Sequence, residues 1–286
     1  MGEHGKHRTL VSFFRLAKTD TKCRCAIAKL LNLKASRIRA GAKESYIVSA
    51  LIAWCALALP SAAQERCRQA LALGLDVSGS VDSREYRMQL DGLASALQAP
   101  DVKDVLLSMP DAPIRIAVYE WSGAQDHFLL LPWTSVTDET RLTEIEQRLR
   151  RTQRTPSDQS TGLGSAMQFG ARLLEQQSAC WTQTLDISSD GKSNTGPHPK
   201  DLWDTPFPNI TINALVIGAD ALDHGDNRQA QVGELSSYFE AYVLRGTTSF
   251  VEVALGFEDY EDAMIRKLKR ELQGLMLTRQ LPIQNH

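Results

Sequence analysis

The stretch Leu71-Ala72-Leu73-Gly74-Leu75-Asp76-Val77-Ser78-Gly79-Ser80 constrains the chain more than any other. Leu and Val continue through it without polar alternation, the pattern of a strand buried on both faces. Asp76, Ser78 and Ser80 then fall in the turn that leaves the strand. Asp82 is placed to cap the next helix, with Glu85 three residues on, the spacing of a capping box. A strand that feeds a helix in this way belongs to an α/β sheet, and the carboxyl ends of such strands are where ligands bind.

The chemistry offered by Asp-x-Ser-x-Ser is hard oxygen. One carboxylate and two hydroxyls form no nucleophile without a base, and no His lies nearby in sequence. They suit a small hard cation such as Mg²⁺, which takes six oxygens and needs few carboxylates. The plain alternative is a strand end, a Ser-rich turn and an N-cap. On these residues alone the two readings stand side by side, and further ligands must come from elsewhere in the chain.

The 286 residues, 43% hydrophobic, suffice for one large domain. Charge is divided unevenly. Residues 1–45 hold 11 Lys/Arg and 3 Asp/Glu, whereas residues 64–286 hold 21 and 31. The acidic larger part argues against nonspecific nucleic-acid binding. Between them, Tyr46–Pro60 carries no charge and is short of the ~20 residues of a membrane span. Arg37, Arg39 and Lys43 precede it, and Ser61-Ala62-Ala63 follows. That pattern predicts a signal peptide cleaved after Ala63, and so a periplasmic or secreted protein; a retained anchor, the one route to membrane attachment, is the alternative. The expected division is residues 1–63, a basic extension and signal, and residues 64–286, the folded domain.

Beyond the first strand, helices are expected over 83–98, 138–151, about 161–177, 228–243 and 258–275. Strands are expected over 114–121, 128–133, 184–188, 210–217 and 250–254. The short link between the second and third strands implies an antiparallel hairpin. The alternation elsewhere gives a doubly wound, mostly parallel six-stranded sheet with helices on both faces and one antiparallel edge strand. The first and fourth strands flank its switch point, so their loops converge. Asp76, Ser78 and Ser80 then meet Asp190, which follows Ser188-Ser189, and Thr161, which opens a helix beside Gly162 and Gly164.

Asp76-x-Ser78-x-Ser80, Thr161 in Ser-Thr-Gly-Leu-Gly, and Asp190 before Gly191 together resemble the metal-ion-dependent adhesion site of von Willebrand factor type A domains. All five positions match, over roughly residues 70–275. A closer resemblance is to a poorly characterised group of exported bacterial proteins that are little more than this domain. It is carried by Asp-Val-Ser-Gly-Ser-Val-Asp at 76–82, Ile-Ser-Ser-Asp-Gly-Lys-Ser-Asn at 187–194, Ile-Asn-Ala-Leu-Val-Ile-Gly at 212–218 and Ser-Phe-Val-Glu-Val-Ala at 249–254. The resemblance implies a Rossmann-like fold and Mg²⁺ (Mn²⁺ or Ca²⁺ as substitutes) coordinated by the hydroxyls of Ser78, Ser80 and Thr161. Asp76 and Asp190 supply charge directly or through water. It also implies an open position filled by an acidic residue of a partner protein, and a binding module without catalysis. The rival is a metal-dependent hydrolase or phosphate-handling enzyme in the same crevice; it needs a general base that the sequence does not offer. A third reading is a metal that only stabilises the loops.

Other features are blander. Gly191-Lys192-Ser193 lacks the rest of a phosphate loop. The run Arg266-Lys267-Leu268-Lys269-Arg270 reads as a solvated helix face. Trp121, Lys192, Asn194 and Asp220 follow strand ends, where a part in the partner surface competes with packing or solvation. Cys67 lies nine residues before Asp76, and Cys180 ten before Asp190. On neighbouring parallel strands that counting brings the two together, and it predicts a disulfide at the far end of the sheet. Two separate buried thiols remain the alternative.

Overall fold

The computed structural model describes residues 66–202, 210–218 and 226–277, with side chains omitted for 226–228 and 273–277. The expected extension, signal and cleavage after Ala63 lie outside these residues, as do Asp220 and His224, a histidine in a polar stretch that reads as solvated. The described residues contain strands β1 (Cys67–Asp76), β2 (Ile114–Trp121), β3 (His127–Val136), β4 (Cys180–Ser189), β5 (Ile210–Ile217) and β6 (Val251–Ala254). Between them run helices α1 (Ser83–Gln98), α2 (Pro100–Leu107), α3 (Glu139–Arg151), α4 (Leu163–Glu175), α5 (Asp226–Tyr242) and α6 (Tyr260–Leu277).

The sheet runs β3-β2-β1-β4-β5-β6. All neighbours are parallel except the β2–β3 hairpin, so β3 is the antiparallel edge strand. Every residue of β1 is buried, the burden of a central strand covered on both sides. Leu71, Leu73 and Leu75 face a core shared with α1, α2, α3 and α6. Ala70 and Ala72 face the other core, shared with α4 and α5. Side-chain alternation along a strand assigns the two sets to opposite faces. Asp82 caps α1 by accepting from the backbone N–H groups of Arg84 and Glu85, while Glu85 accepts from the N–H of Asp82. The capping box was legible in the sequence.

Three differences from the sequence expectation have local causes. First, α2 begins directly after α1, because Pro100 is the first residue of a new helix. Proline stops one helix but tolerates the first position of the next. Second, β1 and β4 start four residues earlier than the apolar runs suggest, and Arg68 shows why. Its buried guanidinium donates to the carbonyls of Val105 and Leu106 and to Ser108 Oγ, so it serves the open carboxyl end of α2. Third, β3 extends to Val136 through Pro132. Pro132 lies on an edge strand, where a missing N–H is tolerated. The neighbouring carbonyl of Leu130 accepts from Arg148 Nε on α3. No described helix is long and apolar enough to cross a membrane.

Candidate metal centre

β1 delivers Asp76 fully buried at its carboxyl end, beside the end of β4. The turn that follows is tied down by its neighbours. Val77 N donates to the carbonyl of Trp121, Gly79 N to that of Gln159, and Gln89 Nε2 to that of Asp76. Arg154 donates to the carbonyls of Val77 and Val81, and its guanidinium lies over the Tyr86 ring at 5.7 Å. Within the turn, Ser78 N donates to Asp76 Oδ1 at 2.9 Å.

Thr161 sits at the entrance of α4 and is 6% exposed. Asn194 fixes it from both sides: Thr161 N donates to Asn194 Oδ1 at 2.8 Å, and Asn194 N to the Thr161 carbonyl at 2.9 Å. Asn194 thus stitches the loop before α4 to the loop after β4, a positioning part the sequence did not reveal. Gly164 permits the close approach. A Cβ there would stand 2.0 Å from the carbonyl oxygen of Pro197. Gly164→Ala is expected to lower stability by about 1–3 kcal/mol, the usual range for overpacking, and to weaken cation binding by displacing Thr161. Urea unfolding and calorimetry on the variant check both.

The five expected residues come together. Thr161 Oγ1 lies 3.3 Å from Ser78 Oγ, which lies 3.3 Å from Ser80 Oγ. Ser80 Oγ donates to Asp190 Oδ1 at 2.8 Å. Ser189 joins the set unforeseen: its hydroxyl donates to Asp76 Oδ2 and lies 3.2 Å from Gly191 N, from which it accepts. Its signal in the sequence was only its place beside Asp190. Of the other candidates, Trp121 is fully buried in the core. Lys192 pairs with Glu234 at 2.5 Å. The His127 ring stacks on that of Phe169, and the His198 ring meets those of Tyr238 and Tyr242 edge-on.

Two carboxyls now meet at one site, Asp76 fully buried and Asp190 half-buried. Burial, and then the nearby charge of Asp190, push the Asp76 carboxyl up to about 7, against the hydrogen bonds from Ser189 and Ser78. Burial also raises Asp190, against its bond from Ser80. Among the described residues, no Lys or Arg forms an ion pair with either. No described group of three or more His, Cys, Asp or Glu could hold a metal, so a site here would rest on hydroxyls as much as on carboxylates. That donor set fits a hard cation. Ligands at 2.0–2.1 Å in an octahedron are about 2.9 Å apart along its edges, and the hydroxyl and carboxylate contacts span 2.8–3.3 Å. Asp76, Ser78, Ser80, Thr161 and Asp190 are the residues that could hold it.

At the opposite end of the same two strands, Cys67 and Cys180 are register partners joined by a disulfide, with their Cα atoms 4.5 Å apart.

The sheet order, its single antiparallel edge and the loops gathered at the ends of β1 and β4 give the chain a von Willebrand A-type fold. The chain belongs to the family described as "Protein of unknown function (DUF1194)", which it matches over residues 66–276. No curated protein matches it in sequence. Among solved structures it is similar to the PilB minor pilin from Streptococcus sanguinis, at 13% identity and TM-score 0.52, covering 77% of this chain and 64% of that one. It is also similar to a von Willebrand factor type A protein from Catenulispora acidiphila, at 12% identity and TM-score 0.47, covering 73% and 43%. A third is proximal thread matrix protein 1 from the mussel byssus, at 13% identity and TM-score 0.48, covering 72% and 47%. The chain spans about half or less of the solved chains it matches first. At these identities the likeness speaks to the fold alone.

Proposed function

We propose that this is an exported protein-binding module that grips an acidic side chain of a partner protein through a divalent cation. The cation is Mg²⁺, with Mn²⁺ or Ca²⁺ as substitutes, held by Asp76, Ser78, Ser80, Thr161 and Asp190. The observation that carries the reading is the chain of three hydroxyls, Thr161, Ser78 and Ser80, ending on the Asp190 carboxyl beside the buried Asp76 carboxyl, drawn from three loops, with no cationic side chain paired to either acid among the described residues. When bound, the ion supplies a positive centre with an open position for a carboxylate. The protein's part is to hold the ligands in place: Asn194 fixes Thr161, Ser189 orients Asp76, and Arg154 braces the turn after β1. The enzyme reading is less well supported, because no described His or Lys hydrogen-bonds to the five residues to serve as a base. Export rests on the apolar stretch 46–60 and Ser61-Ala62-Ala63.

Immobilised protein should retain a partner from cell-envelope extracts in Mg²⁺, release it in EDTA, and fail to retain it when Thr161 is replaced by Ala. Capture indifferent to EDTA and to Thr161→Ala would overturn the reading. So would metal-dependent turnover of phosphoesters, esters or peptides that is lost in Asp76→Asn.

A further inference from the structure

The helix run read as solvated contains a fully buried lysine. Lys267 on α6 is 0% exposed, and its side chain points into the core beneath the helix. Its Nζ stands 2.7 Å from Asp186 Oδ2 on β4 and 2.6 Å from Glu271 Oε1, one helical turn on. Both carboxylate side chains are 1% exposed. The three groups are sealed in: the Phe250 ring lies 5.2 Å from Nζ, and the Arg270 guanidinium covers that ring at 3.9 Å. Asn213, the register partner of Asp186 on β5, donates from Nδ2 to Glu271 Oε1 at 2.7 Å.

As an ion triplet this arrangement is poorly satisfied. Asp186 Oδ1 and Glu271 Oε2 are buried with no hydrogen-bond partner among the described residues. Burying three formal charges with acceptors unpaired is costly. The chemistry that removes the cost is condensation of the amine with one of the acids.

We infer that Lys267 and Asp186 form an intramolecular isopeptide bond, with Glu271 as the catalytic proton carrier. Glu271 takes a proton from the Lys267 ammonium, and the freed Nζ lone pair attacks Cγ of the protonated Asp186 carboxyl. The Nζ–Cγ bond forms; Glu271 returns its proton to the departing hydroxyl and takes the second proton from Nζ, which it then gives back to solvent in place of the one Asp186 had taken up. The Cγ–O bond breaks and one water leaves. No oxidant, reductant or co-substrate is needed, and buried formal charges fall from three to one. The roles of the two acids follow from their surroundings. Oε1 of Glu271 accepts from two donors, Asn213 and Lys267, which aim it at the Lys267 ammonium. Asp186 has the Lys267 ammonium beside it and no amide donor like Asn213, and burial pushes its carboxyl up to about 7, so its protonated form is reached near neutral pH. Exclusion of water favours the condensed product.

Intact-mass spectrometry of the purified, reduced and denatured chain tests this without any variant. The expected mass is one water below that of the sequence. Fragmentation is expected to join the peptide holding Asp186 to the peptide holding Lys267. Glu271→Gln is expected to restore the full mass. A wild-type chain at full mass overturns the inference. So does a water loss that maps to Asp190-Gly191 or to a Lys267–Glu271 bridge within α6, and so does a cross-link that survives Glu271→Gln unchanged.

Discussion

Replacing Asp76 with Asn should abolish Mg²⁺ and Mn²⁺ binding and remove the pH dependence of stability that this carboxyl contributes. In the metal-free protein the Asp76 carboxyl sits at about 7 because it is buried beside Asp190, far above its unfolded value near 4. A group raised in this way binds more protons folded than unfolded throughout that window. Its contribution is therefore fully present below about pH 4 and lost as pH rises towards 7. The loss amounts to up to about 4 kcal/mol. A bound cation would do at neutral pH what protons do at acid pH. At a hundredfold excess over Kd, Mg²⁺ should return about 2.7 kcal/mol. Asp76→Asn keeps the side chain's shape and removes the charge. It should therefore melt higher than wild type in EDTA at pH 7.5 and show no Mg²⁺-dependent shift. Any slope contributed by Asp186 is common to both proteins and cancels in the comparison. Equal Mg²⁺ binding by wild type and Asp76→Asn in calorimetry would remove this site from the account.

The second large effect is at the other end of the strands. Cys67 and Cys180 close a loop of 113 residues. On the chain-entropy model, a loop of that length is worth up to ~4.7 kcal/mol. The double replacement Cys67→Ala, Cys180→Ala should lower the denaturant midpoint accordingly. It should leave cation affinity unchanged, because nine residues of strand separate Cys67 from Asp76, about 30 Å at 3.3 Å each. Effects at sites that far apart add independently. Denaturing the chain from Gln64 onward without reductant should expose no titratable thiol; two per chain would refute the bridge.

The sheet was legible because its signals are local. Apolar runs stop at Asp76 and in the Ser188-Ser189-Asp190 turn, and each next element opens with turn or capping residues. The gathering of Asp76, Ser78, Ser80, Thr161 and Asp190 followed from strand order, since parallel neighbours present their carboxyl ends together. What escaped was set by distant partners. Arg68 reads as a surface residue until the carbonyls of α2 are placed beside it. Lys267 sits in a run of cations, and only the folded chain shows Asp186 beneath it. Asn194 and Ser189 look like ordinary turn residues, because the groups they hold, Thr161 and Asp76, come from other loops.

The edge strand β3 ends the sheet on one side and is ten residues long. Phe128 and Leu129 on it are exposed. A bare edge of that length is a template on which a second chain can add strands, and such addition is how sheets grow into aggregates. Here the template is interrupted at its middle. Pro132 has no N–H to offer, and the Leu130 carbonyl is already taken by Arg148. An incoming strand would lose successive rungs of its ladder at the centre, where pairing must start. The apolar edge can thus stay uncovered without recruiting copies of itself, and Pro132 and Arg148 are the residues whose loss would open it to polymerisation.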